Sequence, residues 1–378
     1  MGCRCVGTVV LLISCVLGLA VTAAQTASLT VWNMPYATAF PGGIALDDGM
    51  LYVACAGGME VYRLDPGSDI FRGWGVSEGP QDVTVAAGIA FASVREADQI
   101  GYFNPGGLAT NSALVPFQDV GLGEIHRGAD TTDGKYVFWI AETYVHGVLS
   151  FEYDPSDRPD AIYDPSDQGA YRTVEAIEPE EISVAHEQFA YDTSLMPAPY
   201  AFAVTNESPP FAEWRLPLPD DIWVTDLAAA NGGAIWISVG LPILFRFDPA
   251  GGTLQEMETI PDASIFQGLL PDPDGSIWFS NLNHGSIGHF DPTTGLSEEW
   301  RVPGVGEVYD LVFDADGCVW FTDRVGDAIG RLDPSTGEAL VYPLAEGSEP
   351  LYLAIDDAGD VWFSAGSGNY VGRLHVEP

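Results

Sequence analysis

The sequence predicts an all-β fold, a β-propeller of four-stranded antiparallel blades, and three observations carry that reading. Trp236, Trp278, Trp320 and Trp362 stand 42 residues apart. The phrase around them recurs: "DPDGSIWFSNLNHGSIGHFDPTTG" from Asp272 returns as "DADGCVWFTDRVGDAIGRLDPSTG" from Asp314. Asp-Gly and Asp-Pro punctuation cuts each unit into short apolar runs. A period of roughly 40–50 residues built from short strands and Gly/Asp turns marks a propeller blade.

Each run reads as one strand. "DLVFDADG" is an apolar strand ending in an Asp-Gly hairpin turn. "CVWFTD" follows, with Val319 and Phe321 on one face and Trp320 on the other. "AIGRLDPSTG" is a third strand stopped by Asp-Pro, and "EALVYPL" a fourth closed by proline. The recurring tryptophan is expected between neighbouring blades, where burying an aromatic side chain contributes about 1.5–3 kcal/mol.

At the N-terminus, Val6 to Ala24 contains no charged residue, Arg4 precedes it, and "VTAAQ" offers small residues for cleavage. Residues 1–24 are therefore read as a secretory signal peptide and 25–378 as a single propeller domain in a secreted, extracytoplasmic protein. An uncleaved anchor and a lipid attachment at Cys15 remain open. Beyond the signal only Cys55 and Cys318 remain, on strands of non-neighbouring blades, and two free, buried thiols are expected. The net charge is −40, and Lys135 is the sole lysine. Such a surface repels nucleic acid and anionic membranes, and leaves small molecules or peptides as expected partners of a monomer.

Upstream of the tryptophans the phrase persists, with Tyr52 and Phe91 in the Trp position and a longer copy over Ile125–Pro155. Residues 157–219 read as a degenerate blade plus an inserted loop, because "FAEWRLPLP" matches the fourth strand "LSEEWRVPG". Eight blades are therefore expected, with seven as the alternative. The last copy stops after its third strand, and Ala27–Pro35 resembles the missing fourth, so the N-terminal strand is expected to close the ring.

The wording "DG.VWFT…IGR.DP.TG" resembles the streptogramin B lyase (virginiamycin B lyase) family of propellers and, more loosely, NHL-repeat and gluconolactonase-like propellers. The resemblance implies an elimination that opens a cyclic depsipeptide, using a divalent metal (Mg2+ or Ca2+), a histidine base and nearby carboxylates. In that family the base lies in a Pro-His-Gly phrase that starts a first strand, and a glutamate follows the Trp-Phe-Thr of a second strand. Here the blade-starting position holds Gln81, Gln267, Tyr309 and Leu351, and the residues after the trio are Asn281, Asp323 and Ala365. Only His126, eight residues before Gly134 as Tyr309 is before Gly317, and Glu142 in "WIAE" match in kind.

His126 and Glu142 are thus the candidate catalytic pair, Asp310 and Asp323 the candidate metal ligands, and Gln81, Gln267, Asn281 and Tyr309 the candidate ligand-binding residues at the channel mouth. The "DxDG" strings lack the further ligands of a calcium loop and read as hairpin turns. With most family catalytic positions altered, binding at the channel mouth ranks above catalysis. A metal-dependent lyase or lactone hydrolase, or an architectural envelope module, is the alternative.

Overall fold

The computed structural model describes residues 10–12, 26–76, 79–103, 110–114, 121–144, 147–154, 201–204, 211–216, 218, 222–230, 232–258 and 265–377. They form seven antiparallel sheets around one axis. The innermost strands are Pro41–Asp47, Pro80–Ala86, Leu122–Arg127, Asp226–Ala229, Phe266–Pro271, Val308–Phe313 and Pro350–Ile355, and they open blades 1 to 7 in that order. Each packs beside the next, and Pro350–Ile355 packs beside Pro41–Asp47, so the ring is closed.

The count is seven and not the expected eight. Phe211–Arg215 is a fourth strand as its sequence suggests, but it pairs with Gly147–Tyr153 and so completes blade 3. Ala201–Val204 then adds outside it as a fifth strand. The first strands of blades 3 and 4 are direct neighbours, which leaves no gap for another sheet. An outer strand needs only one partner, so the chain can make a long excursion before supplying it. The entropic cost grows only slowly with loop length, by about 0.6 kcal/mol per doubling. Most of the stretch 157–219, expected as a degenerate blade, lies outside the described residues.

Closure follows the expected route. Thr26–Asn33 pairs antiparallel with Tyr370–Val376, from Ala27 opposite Val376 to Asn33 opposite Tyr370. Trp32 stacks on Trp362 at 5.3 Å. Asn369 pins the following segment, its Oδ1 accepting the Ala39 amide at 2.9 Å and its Nδ2 donating to the Tyr36 carbonyl at 2.7 Å. Val10–Leu12 lies along the outer edge of Thr26–Ser28.

Packing between blades explains the repeat. The core divides into seven apolar clusters, one per blade interface. Each holds the Trp-position residue of one blade against the first and second strands of the next. Trp320 meets Leu353, Val361 and Phe363, and Phe91 meets Ile125, Phe138 and Ile140. The hairpin turns use left-handed residues: Ala87 and Gly88, at φ 52° and 71°, join adjacent strands in the mirror-image turn that matches sheet twist. Cys55 and Cys318 are free and buried, and burial raises the pKa of both thiols.

Candidate functional site

The site begins with an irregularity shared by the inner strands. In six of the seven blades pairing with the second strand slips near the start, for example between Val308 and Leu311. Next to it, and in blade 4 without a slip, lies a position whose side chain can reach the neighbouring blade. Asp82, Asp226 and Asp310 occupy this place, and each carboxylate accepts two backbone amides. Asp310 takes Leu311 at 2.8 Å and, 43 residues away, Leu353 of the next blade at 2.7 Å. Asp226 takes Leu227 at 2.6 Å and Leu269 at 2.9 Å, and Asp82 takes Val83 at 2.8 Å and Ile125 at 3.0 Å. In blade 1 the place is Gly43, where a side chain would collide with Asp82.

A second set of bonds accounts for the Trp-Phe-Thr/Ser phrase. Ser280 and Thr322 donate to the carbonyls of Tyr309 and Leu351 in the next blade, at 2.9 and 3.0 Å. Ser93 and Ser238 do the same to Gly123 and Gln267, at 2.5 and 3.1 Å.

In blade 3 the corresponding residue is Glu124, one methylene longer, and it makes no such latch. Its Oε2 lies 3.4 Å from His126 Nε2, which is 3.1 Å from Asp226 Oδ1 in blade 4. From blade 7, across the axis, the Tyr352 hydroxyl donates to Glu124 Oε1 at 3.0 Å. Tyr309 meets the Tyr352 ring edge-on at 5.6 Å. Side chains of blades 3, 4, 6 and 7 thus converge within the channel. Burial alone would lower the His126 pKa, but the carboxylates of Asp226 and Glu124 outweigh it and hold the imidazole protonated well above its ordinary range. Burial, then the nearby Asp226, pushes Glu124 up to about 8. Burial likewise carries Asp82 and Asp310 up to about 7.

The nominated residues fall into two groups. Gln81, Gln267 and Tyr309 occupy the same position at the start of the inner strands, one residue before the latch. Glu142, Asn281 and Asp323 end second strands, opposite Leu122, Phe266 and Val308, and all three are buried. Asp323 Oδ1 accepts the amides of Gly306, Glu307 and Gly326 at 3.1, 3.0 and 3.0 Å, holding a loop and a turn together. The Glu142 carboxylate lies against Gly147.

Register also moves His126. It pairs with Trp139, as Val312 pairs with Trp320, so its counterpart is Val312 and not Tyr309. Blade 3 has a longer first hairpin, and counting back from Gly134 hides a shift of three residues. His126 and Glu142, opposite Leu122, are therefore about 10 Å apart along the sheet. The residues that do meet His126, namely Glu124 and Asp226, were not nominated, nor was Tyr352. The first two could have been found from the recurring acid before an apolar residue in "GEI", "TDL", "YDL" and "QDV".

Among the described residues, Glu124, His126 and Asp226 bring three potential ligand atoms within 4.8 Å of one another. One imidazole nitrogen and two carboxylate oxygens suit a divalent ion. Asp310 and Asp323 do not join that group, since each carboxylate serves a separate pair or trio of amides.

The fold is a β-propeller similar to that of virginiamycin B lyase, and the sequence likeness to that family lies in the second half of the chain. The Virginiamycin B lyase family model matches residues 211–378, which span the fourth strand of blade 3 and blades 4 to 7. A streptogramin B lyase structure superposes with a TM-score of 0.69 at 18% identity, covering 93% of this chain and 98% of its own. Virginiamycin B lyase from Staphylococcus aureus gives 0.68 at 16%, covering 92% and 99%. A catalytically inactive variant of that enzyme with quinupristin gives the same values. No curated protein sequence matches the chain.

Proposed function

We propose that the protein is a secreted binding propeller that receives a small molecule or peptide at the mouth of its axial channel. The observation that carries this reading is the convergence of Glu124, His126, Asp226, Tyr309 and Tyr352 inside the ring. The face where the inner strands begin adds to it. Tyr36, Phe40, Met59, Tyr144, Trp223 and Val325 are all exposed there, in turns or in loops leading to first strands, and among the described residues only Ile70 and Leu296 of the exposed large apolar side chains lie on the other face. Apolar groups around a polar opening suit an amphipathic ligand. The uncharged segment Val6–Ala24 supports export, and its removal leaves the closing strand Thr26–Asn33 in place.

Lyase activity of the family kind is disfavoured by the inner-strand starts. They hold Gly42, Gln81, Gly123, Thr225, Gln267, Tyr309 and Leu351, with no histidine. Titrating the protein with quinupristin and a panel of cyclic peptides, lactones and sugars, with mass spectrometry of the mixtures, tests the reading. The expected result is saturable binding of at least one compound with no new product. Ring-opened quinupristin accumulating with time overturns it.

A second reading, a metal-dependent lyase or lactone hydrolase, is favoured by the position of His126 between two carboxylates. It requires that EDTA and His126→Ala each abolish turnover.

A further inference from the structure

We propose that Glu124, His126 and Asp226 form a binding site for a divalent first-row transition-metal ion, Mn2+ or Zn2+, set in the wall of the channel on blades 3 and 4. This goes beyond the binding reading, which needs no metal. The geometry is that of neighbouring ligands on one ion. With metal–ligand bonds of about 2.1 Å, adjacent donors of an octahedral ion are about 3.0 Å apart and those of a tetrahedral one about 3.4 Å. The His126 Nε2 separations from Asp226 Oδ1 and Glu124 Oε2 are 3.1 and 3.4 Å.

The supports are built in from outside. Tyr352 holds Glu124 by the oxygen that faces away from His126, and the Leu227 and Leu269 amides fix Asp226. Metal-binding carboxylates are oriented by such outer hydrogen bonds. His126 fills an inner-strand position where blades 1, 4, 5, 6 and 7 carry Ala45, Ala228, Leu270, Val312 and Ala354, and blade 2 carries the uncharged Thr84. A polar ring there serves no step of the repeat's own packing.

Donor chemistry selects the ion. Ca2+ and Mg2+ prefer all-oxygen shells, whereas imidazole with carboxylates suits Mn2+ and Zn2+, with Zn2+ the tighter of the two. The site is distinct from the channel-mouth position where the family resemblance places its base. It uses an inner-strand residue three places further along.

The test is calorimetric titration of chelator-treated protein with MnCl2, ZnCl2, MgCl2 and CaCl2, supported by Mn2+ electron paramagnetic resonance. One Mn2+ or Zn2+ should bind per chain, at least about tenfold more tightly than Mg2+ or Ca2+. His126→Ala and Glu124→Gln should each weaken Mn2+ binding by at least about tenfold. Glu124→Gln keeps a side chain that can still accept from Tyr352, so it covers the case in which His126→Ala does not fold. Asp316→Asn, on the exposed outer turn, should bind as the parent does and controls for ions attracted by surface charge. Mn2+ affinity unchanged in both site variants, or no saturable Mn2+ or Zn2+ binding, overturns the proposal. Because the ligand panel is also run on metal-free protein, binding there without metal affinity removes only the metal site. Metal binding with no ligand removes only the channel reading.

Discussion

Blades 5 to 7 and blades 3 and 4 solve the same packing problem differently. In the former, the indole N–H of Trp278, Trp320 and Trp362 donates to an aspartate six residues earlier, at 3.2, 3.0 and 2.8 Å. The residue across the strand pair then covers the ring: His289 at 4.6 Å, Arg331 at 5.9 Å and Arg373 at 5.3 Å. The indole donor and its covering residue thus tie the strands of one blade together. In blade 4 the aspartate is replaced by Ala230, and the buried Trp236 N–H finds no acceptor among the described residues. In blade 3 the inner strand carries Glu124 and His126 where its siblings latch or pack. The regular blades repeat the same Trp–Asp bond, and the His126 cluster lies where the repeat lapses.

The largest way to break the contrast is at closure. Trp362 is buried between Trp32 and blade 1. Trp362→Ala should cost about 3–5 kcal/mol, as a large core aromatic does on truncation. Chemical denaturation would measure it. A loss below about 1 kcal/mol would mean that the stack with the N-terminal strand is dispensable and that the ring is held elsewhere.

Protonation sharpens the comparison between the inner and outer parts of one blade. Burial raises Asp310 from 3.8 to about 7, so the folded state binds this proton more tightly than the unfolded chain. Its contribution is complete below about pH 4 and is lost as pH rises through 7. For Asp314, on the outer turn, burial is outweighed by Arg331 and neighbouring donors, and its pKa falls below the usual range. Its contribution has the opposite sign, present above the ordinary carboxylate pKa and lost on acidification. Denaturation midpoints from pH 3 to 8 should show Asp310→Asn flattening the decline toward neutrality while leaving the acid limb intact. An unchanged neutral slope would mean that the latch is ionised throughout.

The legible part of the molecule was the part that repeats. Tryptophans at a fixed period, Asp-Gly turns and the "FAEWR" strand all follow from local chemistry, which a sequence displays directly. Sequence also identified Ala27–Pro35 as a strand in need of a sheet. It did not reveal which sheet a strand joins: Phe211–Arg215 was recognisable as an outer strand, yet its partner lay across a long excursion in blade 3. The candidate site was less legible for a related reason. Glu124 and Tyr352 are 228 residues apart and meet only because the ring places their blades on opposite sides of the channel. The longer hairpin of blade 3 broke the count that aligned His126 with Tyr309, and only strand register restores it.

The smallest effect is the most direct test of the contrast between blade 4 and its neighbours. The turn at Ala230 repeats the backbone bonds of the turn at Asp272. Ala230 N–H donates to Ala234 O at 2.8 Å as Asp272 N–H donates to Ser276 O at 2.9 Å, and Gly233 and Gly275 donate back to Ala230 and Asp272. A carboxylate at position 230 would therefore leave the same backbone frame that carries Asp272 to Trp278. Trp236 is fully buried, so a restored bond satisfies a donor that now has no acceptor. Ala230→Asp should stabilise the protein by about 1 kcal/mol, the net worth of a typical hydrogen bond, with a rise in Tm of roughly 2 °C for a chain of this size. Ala230→Asn, uncharged and of similar shape, separates the bond from the cost of burying a charge. If both variants are destabilised, blade 4 has lost the space as well as the acceptor, and its departure from the repeat is one of packing and not of a single missing oxygen.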